Sequence, residues 1–424
     1  MAKILVSSLG VGGKFKNSDT HDREYKKTCY QIEDKSYPDS TFMASVLYEH
    51  FNLDGIIFIG TVKSMWEEGY RFFCQKNSVP LNENYWYNLA SIIDKLTYKS
   101  DLDSLDLSPF EKVLGNRSKC ILIKYGLNEQ ELWFNFNQIL KIVDFLEKDD
   151  ELYIDITHSF RSLSLFLFLT ITFIRDLMSE KNIKIAGVYY GMLDATAELN
   201  YTPVVDLKPL FEMTSWIKGA YSLKSYGDGS LIAELLKSQG EEQLASQIEQ
   251  LSHAININYV RAIQQRSSTL KTTLQNTQYN QAASSPFKYL RTILENFVQK
   301  FARSSIPESE YQLKLAGWYF ENKRYATGYI TLAEAIITYL CEINGRNITM
   351  KYERDEMKKF LKRSDNEKSK LAELYSQVNL IRNSIAHALL EEDKKIITDS
   401  DAINKAKGYQ QEVKKIFRTG TLDY

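Results

Sequence analysis

Cysteine is scarce in this chain, and the four that occur (Cys29, Cys74, Cys120 and Cys341) lie far apart without a C-x-x-C pair. This spacing excludes the usual zinc motifs and a disulfide framework. Only five histidines are present, and none stands in a cluster with carboxylates. We therefore expect neither a metal ion nor a bound cofactor.

Long apolar runs are also missing. No stretch approaches the roughly 20 residues of a membrane span without an interrupting charge. The first ten residues, MAKILVSSLG, enter a strand-like pattern directly and lack the basic segment and apolar core of a signal peptide. The sequence therefore predicts a cytoplasmic protein that does not contact a membrane.

An excess of charge of either sign is absent too, because the formal net charge is −1. This balance argues against a protein that coats nucleic acid non-specifically, but it leaves open a confined nucleic-acid site with local positive charge. A hydrophobic content of 44% and a charged content of 25% are typical of a soluble globular protein. A length of 424 residues predicts two domains.

The first half of the chain alternates strand-like and helix-like segments. Short runs rich in Val, Ile and Tyr occupy residues 3–9, 55–61, 120–126, 151–157 and 183–191. Helical patterns separate them, such as those at 42–51 and 132–146. Nearly continuous apolar strands separated by helices indicate a parallel sheet covered on both faces. Residues 202–207 would add one more strand at an edge of that sheet.

The second half, from Lys208 onward, has almost no strand signal. Helical patterns rich in Leu, Glu, Lys, Gln and Ala run through residues 231–251, 325–343 and 368–390, and a polar stretch at 264–286 is expected to include a loop. The fold class is therefore an α/β domain followed by an all-α domain, joined within 205–230. We assign residues 1–215 to the first domain and 216–424 to the second.

The apolar segment 151–173 is interrupted by five residues, Thr157 to Arg161, of which four are polar. In an open parallel sheet, ligands bind beyond the carboxyl ends of the strands, and this segment is such a strand-to-helix turn. Ser159 would cap the helix, whose free N–H groups attract phosphate, and Arg161 would add a forked donor. Thr157 and His158 offer further hydrogen bonds. The alternative is simple capping, in which Asp155 pairs with Arg161 and nothing binds.

Two other predicted strands end in similar turns. Residues 7–13 read SSLGVGG, and residues 60–66 read GTVKSMW. Three such turns at one sheet edge would build a single polar pocket. A dinucleotide-binding interpretation of the glycines fits poorly, because the spacing is not G-x-G-x-x-G and no apolar helix follows.

Near the C-terminus, Arg382 and His387 stand five residues apart within a helical pattern. Five residues turn an ideal helix through about 500°, so the two side chains point about 140° apart. Two such helices meeting across a two-fold axis would complete a shared cleft. Arginine can hold a scissile phosphate and histidine can act as general base or acid, which suits metal-free RNA cleavage by the 2′-hydroxyl. The alternative is a histidine packed against a neighbouring helix and a surface arginine. Tyr375 is the tyrosine near this pair that is a candidate for stacking on a base, although tyrosines are more often half-buried core and surface residues.

Together these segments resemble a known family. Asp155-x-Thr157-His158-Ser159-x-Arg161 is similar to the D-x-T-H-G-x-R signature of CRISPR-associated CARF domains. Gly60-Thr61-x-x-Ser64-x-Trp66 is similar to a second signature of that group, and Arg382-x4-His387 resembles the R-x4-H motif of HEPN ribonucleases. A Rossmann-like CARF domain followed by a helical HEPN domain is the order found in the accessory ribonucleases of type III CRISPR systems.

The resemblance implies a homodimer, or a higher even-numbered oligomer, whose paired CARF domains bind a cyclic oligoadenylate. Binding would activate the paired HEPN domains to cleave single-stranded RNA without a metal, in antiviral defence. By position, Arg382 and His387 would be catalytic, with Asn383 in support. The residues that would contact the activator are Ser8, Gly10, Thr61, Thr157, His158, Ser159 and Arg161.

Ser159 departs from the family pattern, which has glycine there, and this leaves the ring size of the activator open. We expect a tetra-adenylate ring first and a hexa-adenylate ring second. Some CARF domains also cut their activator, and Thr157 and Ser8 would be placed to align a ring 2′-hydroxyl.

Two other classes of function compete with a ribonuclease. One is a nucleotide-sensing CARF dimer whose helical half recruits a partner or DNA and cuts nothing, and the Arg382–His387 pair discriminates against it. The other is a nucleotide-dependent metabolic enzyme in which the sheet would be the catalytic domain.

Overall fold

The computed structural model describes residues 1–14, 23–158, 161–177, 179–275, 285–302, 305–362, 369–387 and 398–420. The chain divides into two compact units, Met1–Glu212 and Met213–Tyr424. Within the described residues, no helix is long and apolar enough to cross a membrane. All four cysteines are unpaired.

The N-terminal unit is built on a sheet whose strand order is β5-β4-β10-β9-β8-β1-β6-β7. A separate two-stranded sheet pairs β2 with β3. The strands, in chain order, are β1 Lys3–Leu9, β2 Gly13–Lys14, β3 Arg23–Glu24, β4 Thr28–Ile32, β5 Lys35–Ser40, β6 Gly55–Thr61, β7 Lys119–Ile123, β8 Glu151–Asp155, β9 Lys184–Gly191 and β10 Thr202–Asp206.

The five strands β9-β8-β1-β6-β7 run parallel, as the apolar runs predict. Alternate residues face opposite sides, because side chains alternate along a strand. Ile4 and Val6 of β1 join one buried cluster, whereas Leu5 joins another with Phe58 and Tyr153. Helices cover both faces, so the predicted α/β class is confirmed.

One end of the sheet differs from the sequence-based prediction. Strand β10 was expected at an edge, but it lies between β9, to which it is antiparallel, and β4. The antiparallel hairpin β4–β5 extends the sheet beyond it. The hairpin lacks an apolar run because β5 is a polar edge strand, KSYPDS, with no fully buried residue. Proline is tolerated at such an edge.

Helices of the first unit connect the strands. The predicted helix at 132–146 is two helices, which together span residues 129–145. Helix Lys208–Tyr226 carries the chain from the first unit into the second. The helices in chain order up to this point are Met43–Phe51, Trp66–Lys76, Glu83–Lys95, Ser108–Leu114, Glu129–Leu140, Ile142–Phe145, Arg161–Leu177, Thr196–Leu199 and Lys208–Tyr226.

The described part of the second unit is helical, as predicted. Two apolar clusters hold it together, one around Leu251, Ile263 and Tyr319 and the other around Leu332, Ile336 and Val378. The pattern at 231–251 is interrupted at Gly240, whose φ of +82° ends the helical run. The helices are Ser230–Ser238, Glu242–Asn256, Val260–Gln275, Ser285–Phe301, Glu308–Glu321, Tyr325–Ile343, Lys351–Leu361, Lys370–Ala386 and Asp399–Thr419.

Candidate functional site

The G-T-x-x-S-x-W segment after β6 braces the strand ends. Ser64 Oγ donates to the Leu9 carbonyl at 2.6 Å and accepts from Thr61 N at 2.9 Å. Trp66 Nε1 donates to the Thr61 carbonyl at 2.8 Å. A Cβ on Gly60 would lie 2.7 Å from both Ser64 Oγ and the Trp66 ring. These residue types are therefore required to fold the turn and to fix it against β1.

A buried ion pair ties the same turn to β3. Arg23 donates through Nε to Glu67 Oε1 at 2.8 Å and through a terminal nitrogen to the Lys63 carbonyl at 2.7 Å. Burial raises the pKa of Glu67, and the adjacent Arg23 opposes that rise. Because both side chains are buried, removing either one leaves an unpaired charge, which costs far more than a surface pair contributes.

Asp155, at the end of β8, organises the first residues of the polar turn. Its carboxylate accepts from Ser7 Oγ at 2.7 Å and from Thr157 N at 2.9 Å. Complete burial raises the pKa of Asp155, and hydrogen bonds from Thr157 and Ser7 oppose the rise. Among the described side chains, Asp155 interacts with those of Thr157 and Ser7. The Asp155–Arg161 pair of the capping alternative rests on the Arg161 side chain, which lies outside the described part.

Thr157 and His158 connect this turn to its neighbours. Thr157 Oγ1 accepts from Gly191 N at 2.9 Å, at the end of β9. The His158 ring stacks on Tyr25, with centroids 3.7 Å apart, and Tyr25 Oη accepts from Gly10 N at 2.6 Å. A Cβ on Gly10 would lie 2.6 Å from the His158 carbonyl oxygen. The turns after β1 and β8 are thus in direct backbone contact.

His158 is uncharged at neutral pH. Burial lowers its pKa from 6.5 to about 3. The hydroxyl of the buried Tyr30 lies 3.5 Å from His158 Nε2. A neutral imidazole offers one donor and one acceptor rather than a positive charge. His158 is therefore suited to hydrogen bonding with a base or ribose, and less to pairing with a phosphate.

The predicted ligand residues that the structure describes lie at one end of the sheet, and they differ in their exposure to solvent. Thr157 and His158 are half-buried, whereas Thr61 is 1% exposed and its hydroxyl accepts from Lys63 N. Ser8 is 2% exposed, and its hydroxyl has no hydrogen-bond partner in the described part of the chain. Ser159 lies outside the described residues. Arg161 begins the helix Arg161–Leu177, and its side chain is not described.

Sequence reasoning missed Tyr25, Tyr30 and Arg23. Tyr25 bonds Gly10 and stacks on His158, Tyr30 lies beside His158, and Arg23 holds the turn after β6. The alternation TCYQI at residues 28–32, with every second residue buried, was the available signal for the strand that carries Tyr30.

The Arg382–His387 segment ends a helix of the second unit. Ser369 caps the helix Lys370–Ala386 by accepting from Ala372 N at 3.1 Å, and residues such as Val378 and Ile381 bury its inner face. Arg382 donates to Asn383 Oδ1 at 2.9 Å. His387 is exposed and lies just past the helix end, where its N–H donates to the Asn383 carbonyl at 2.9 Å. The imidazole is therefore open to solvent in the single chain, unlike the packed histidine of the alternative interpretation.

Tyr375 does not match its expected role. It is 4% exposed, and burial raises the pKa of its hydroxyl. Because its ring packs in the helical core, it has no free face on which a base could stack. No group of three or more potential metal-ligating side chains occurs among the residues that the structure describes.

Comparison with known proteins identifies the N-terminal unit. Residues 4–194 match the family described as "CRISPR system endoribonuclease Csx1, CARF domain". This chain is a CRISPR-associated CARF protein. Residues 212–308 of the CARF protein match "CRISPR-associated protein MJ1674, second domain".

Two further proteins are similar to this CARF protein. CRISPR-associated protein MJ1674 of Methanocaldococcus jannaschii is 35% identical over 408 residues, which cover 92% of the chain. The chain spans 62% of the length of that relative. The solved structure of Enterococcus italicus Csm6 bound to cyclic hexa-2′-fluoro-hexa-dAMP has a TM-score of 0.38 and 13% identity, covering 98% of this chain and 94% of that one. A similarity this low does not transfer a ligand or a reaction.

Proposed function

We propose that this protein is an endoribonuclease of type III CRISPR defence that cleaves single-stranded RNA without a metal when a cyclic oligoadenylate binds its CARF domain. The observation that carries the proposal is the exposed His387 at the end of a helix, five residues after an Arg382 that is held by Asn383. The relation of the N-terminal unit to the CARF domain of an endoribonuclease supports it.

The activator would bind where the turns after β1, β6, β8 and β9 meet. The N–H groups at the start of helix Arg161–Leu177 would bind ring phosphates. His158, kept neutral by burial, would hydrogen-bond a base or ribose, and Thr157 would lie beside it. The ring size and any cutting of the ring by Thr157 and Ser8 stay predictions, with tetra-adenylate ahead of hexa-adenylate.

A second copy of the chain would complete the pocket. Leu165 and Leu169, 70% and 63% exposed, lie one turn apart on the helix that follows the polar turn. The two leucines together form an apolar patch that a second copy of the chain would cover. If the partner is an identical chain, its own Thr157 and His158 immediately precede the same helix, so two half-pockets would face each other across the two-fold axis.

Cleavage would occur where two Arg382–His387 segments meet. Arg382 would bind the scissile phosphate and stabilise the charge that develops on it, and Asn383 would hold the guanidinium in place. One His387 would take the proton of the 2′-hydroxyl, whose oxygen attacks phosphorus. The bond to the 5′-oxygen breaks, that oxygen receives a proton, and a 2′,3′-cyclic phosphate remains.

The test is incubation with labelled single-stranded RNA in EDTA, with and without cyclic tetra- and hexa-adenylate. We expect cleavage only with a ring and no cleavage by His387→Ala. Ring binding by the wild type without cutting under any condition would contradict a ribonuclease, and a need for a divalent metal would contradict the chemistry.

A further inference from the structure

A groove of about 540 Å³ lies beside the candidate catalytic residues of the second unit. Its walls are the end of helix Lys351–Leu361, with Lys362, and one side of helix Lys370–Ala386. Asn383, which accepts the hydrogen bond from Arg382, lines one end. Grooves of this volume are large enough for a small ligand or one nucleotide.

The face of the helix that lines this groove leads to His387. At 100° per residue, Ser376, Leu380 and Asn383 lie within about 60° of one another, and the position of His387 continues the same face. The groove extends over about 15 Å from Asn383 to Glu373, given the rise of a helix. An RNA strand held at Arg382 and His387 would therefore place a neighbouring nucleotide in it.

The lining of the groove has an apolar part and a polar part. Leu361 and Ala372 line the groove and form a small apolar floor on which the flat face of a base would lie. Ser376, Gln377 and Asn379 add a hydroxyl and two amides, the groups that read the edges of bases. Among the described lining residues Lys362 is the one cation, so the groove suits a base better than a run of phosphates.

Hydrogen-bond acceptors dominate the end of the groove far from Asn383. Gln377 Nε2 donates to Glu373 Oε1 at 3.1 Å, which leaves the Gln377 carbonyl oxygen for a ligand. The Glu373 carboxylate is 53% exposed, with Lys370 Nζ at 3.6 Å. A carboxylate repels phosphate but accepts from an amino group. Adenine, cytosine and guanine carry an exocyclic amino group, and uracil does not.

We propose that this groove binds one base of the RNA next to the scissile phosphate and selects a base with an exocyclic amino group over uracil. Glu373 and Gln377 supply the selecting acceptors, and Ser376 lies between Glu373 and Asn383 on the helix. The proposal rests on the proposed ribonuclease function, and it adds the residues that determine which sites are cut.

Two charge variants and a matched control test the selection. Glu373→Lys and Gln377→Lys replace an acceptor by a donor, and Glu356→Lys makes the former change at an exposed carboxylate outside the groove lining. Cut sites are mapped by sequencing the products of a mixed-sequence RNA. Each base is counted relative to its frequency in the RNA. In the wild type and in Glu356→Lys, we expect the average amino-bearing base to exceed uracil at least about fivefold on one side of the cut. Both groove variants should lower that normalised ratio below about twofold. Equal use of uracil by the wild type, or an unchanged ratio in both groove variants, would overturn the proposal.

Binding without cleavage separates this proposal from the proposed function. Short oligocytidylate and oligouridylate carrying a fluorophore are titrated with His387→Ala, and anisotropy is measured. We expect oligocytidylate to bind at least about fivefold more tightly, and the difference to disappear when Glu373→Lys is added. If the wild type cuts no RNA but this preference is present, the ribonuclease assignment fails and the groove stands. If RNA is cut but the preference is absent, the groove assignment alone fails.

Discussion

The phenol ring of Tyr25 stacks on the imidazole of His158, with centroids 3.7 Å apart and planes within 5° of parallel. Tyr25 also accepts a hydrogen bond from Gly10 N. One side chain therefore positions both a predicted ligand group and the backbone of the turn after β1.

Replacing Tyr25 separates these two roles. Tyr25→Phe keeps the stack and removes the acceptor for Gly10 N, whereas Tyr25→Ala removes both. An aromatic pair contributes about 0.5–1.5 kcal/mol. We therefore expect Tyr25→Ala to weaken binding of the cyclic oligoadenylate about tenfold and Tyr25→Phe to weaken it less. Calorimetric titration with cyclic tetra- and hexa-adenylate measures both. Equal affinities for both variants and the wild type would remove Tyr25 from the pocket.

The neutral state of His158 predicts how stability and ring binding respond to pH. The folded pKa is about 3 and the unfolded value is 6.5, so the unfolded chain takes up more protons between these values. Protonation of His158 therefore lowers the free energy of unfolding as the pH falls through that window, and it has no effect above the window. In denaturant titrations between pH 6 and pH 4, we expect the free energy of unfolding of His158→Gln to depend less on pH than that of the wild type.

The same pKa of His158 predicts how the affinity for the cyclic oligoadenylate depends on pH. Because His158 stays neutral from pH 6 to pH 8, its protonation should change the affinity of the wild type by less than about twofold over that range. A large gain in affinity on acidification that is lost in His158→Gln would show that the imidazolium binds phosphate, contrary to this account.

Gly10 tests the contact between the turns after β1 and β8. A Cβ there would meet the His158 carbonyl at 2.6 Å, so we expect Gly10→Ala to lower the free energy of unfolding by about 1–3 kcal/mol and to weaken ring binding. Gly408→Ala is the matched control, because nothing lies within 4 Å of its added Cβ within a helix. That change should raise stability by about 0.5–1 kcal/mol. Chemical denaturation measures both.

The kcat and KM of two variants for RNA distinguish the role of Asn383 from that of Arg382. Arg382→Ala should lower kcat for RNA by about 10²–10³-fold, because it removes charge stabilisation at the phosphate. Asn383→Ala should lower kcat by about tenfold and leave KM nearly unchanged, because it only frees the guanidinium. Ring affinity is the control and should not change in either variant. A larger loss in Asn383→Ala than in Arg382→Ala would reverse these assignments.

The sequence predicted the sheet core well because its parallel strands are nearly continuous apolar runs, as in β1 and β6. It did not predict the hairpin β4–β5, because β5 is polar and exposed at an edge. Helix 325–343 was predicted at its observed bounds, because its apolar pattern continues through Gly328, which stays helical. In 231–251, by contrast, the positive φ of Gly240 interrupts the helix.

The parts of the candidate site that the sequence did not predict are contacts between residues distant in sequence. Tyr25 lies more than a hundred residues before His158, and three strands and one helix separate Arg23 from Glu67 along the chain. No local pattern marks such pairs. Conversely, the G-T-x-x-S-x-W segment was recognised in the sequence. In the structure its residues hold the turn in shape, because the buried Thr61 and Ser64 hydrogen-bond to other protein groups.

Symmetry is the central claim, since both half-sites need a second copy of the chain. Native mass spectrometry of the purified protein with cyclic tetra- and hexa-adenylate tests it directly. We predict a dimer, or a higher even-numbered assembly, that binds one ring per two chains. Leu169→Glu should yield monomers that bind no ring, whereas Tyr87→Glu, at another exposed apolar residue, should not. A monomeric wild-type protein, or one ring bound per single chain, would contradict the account.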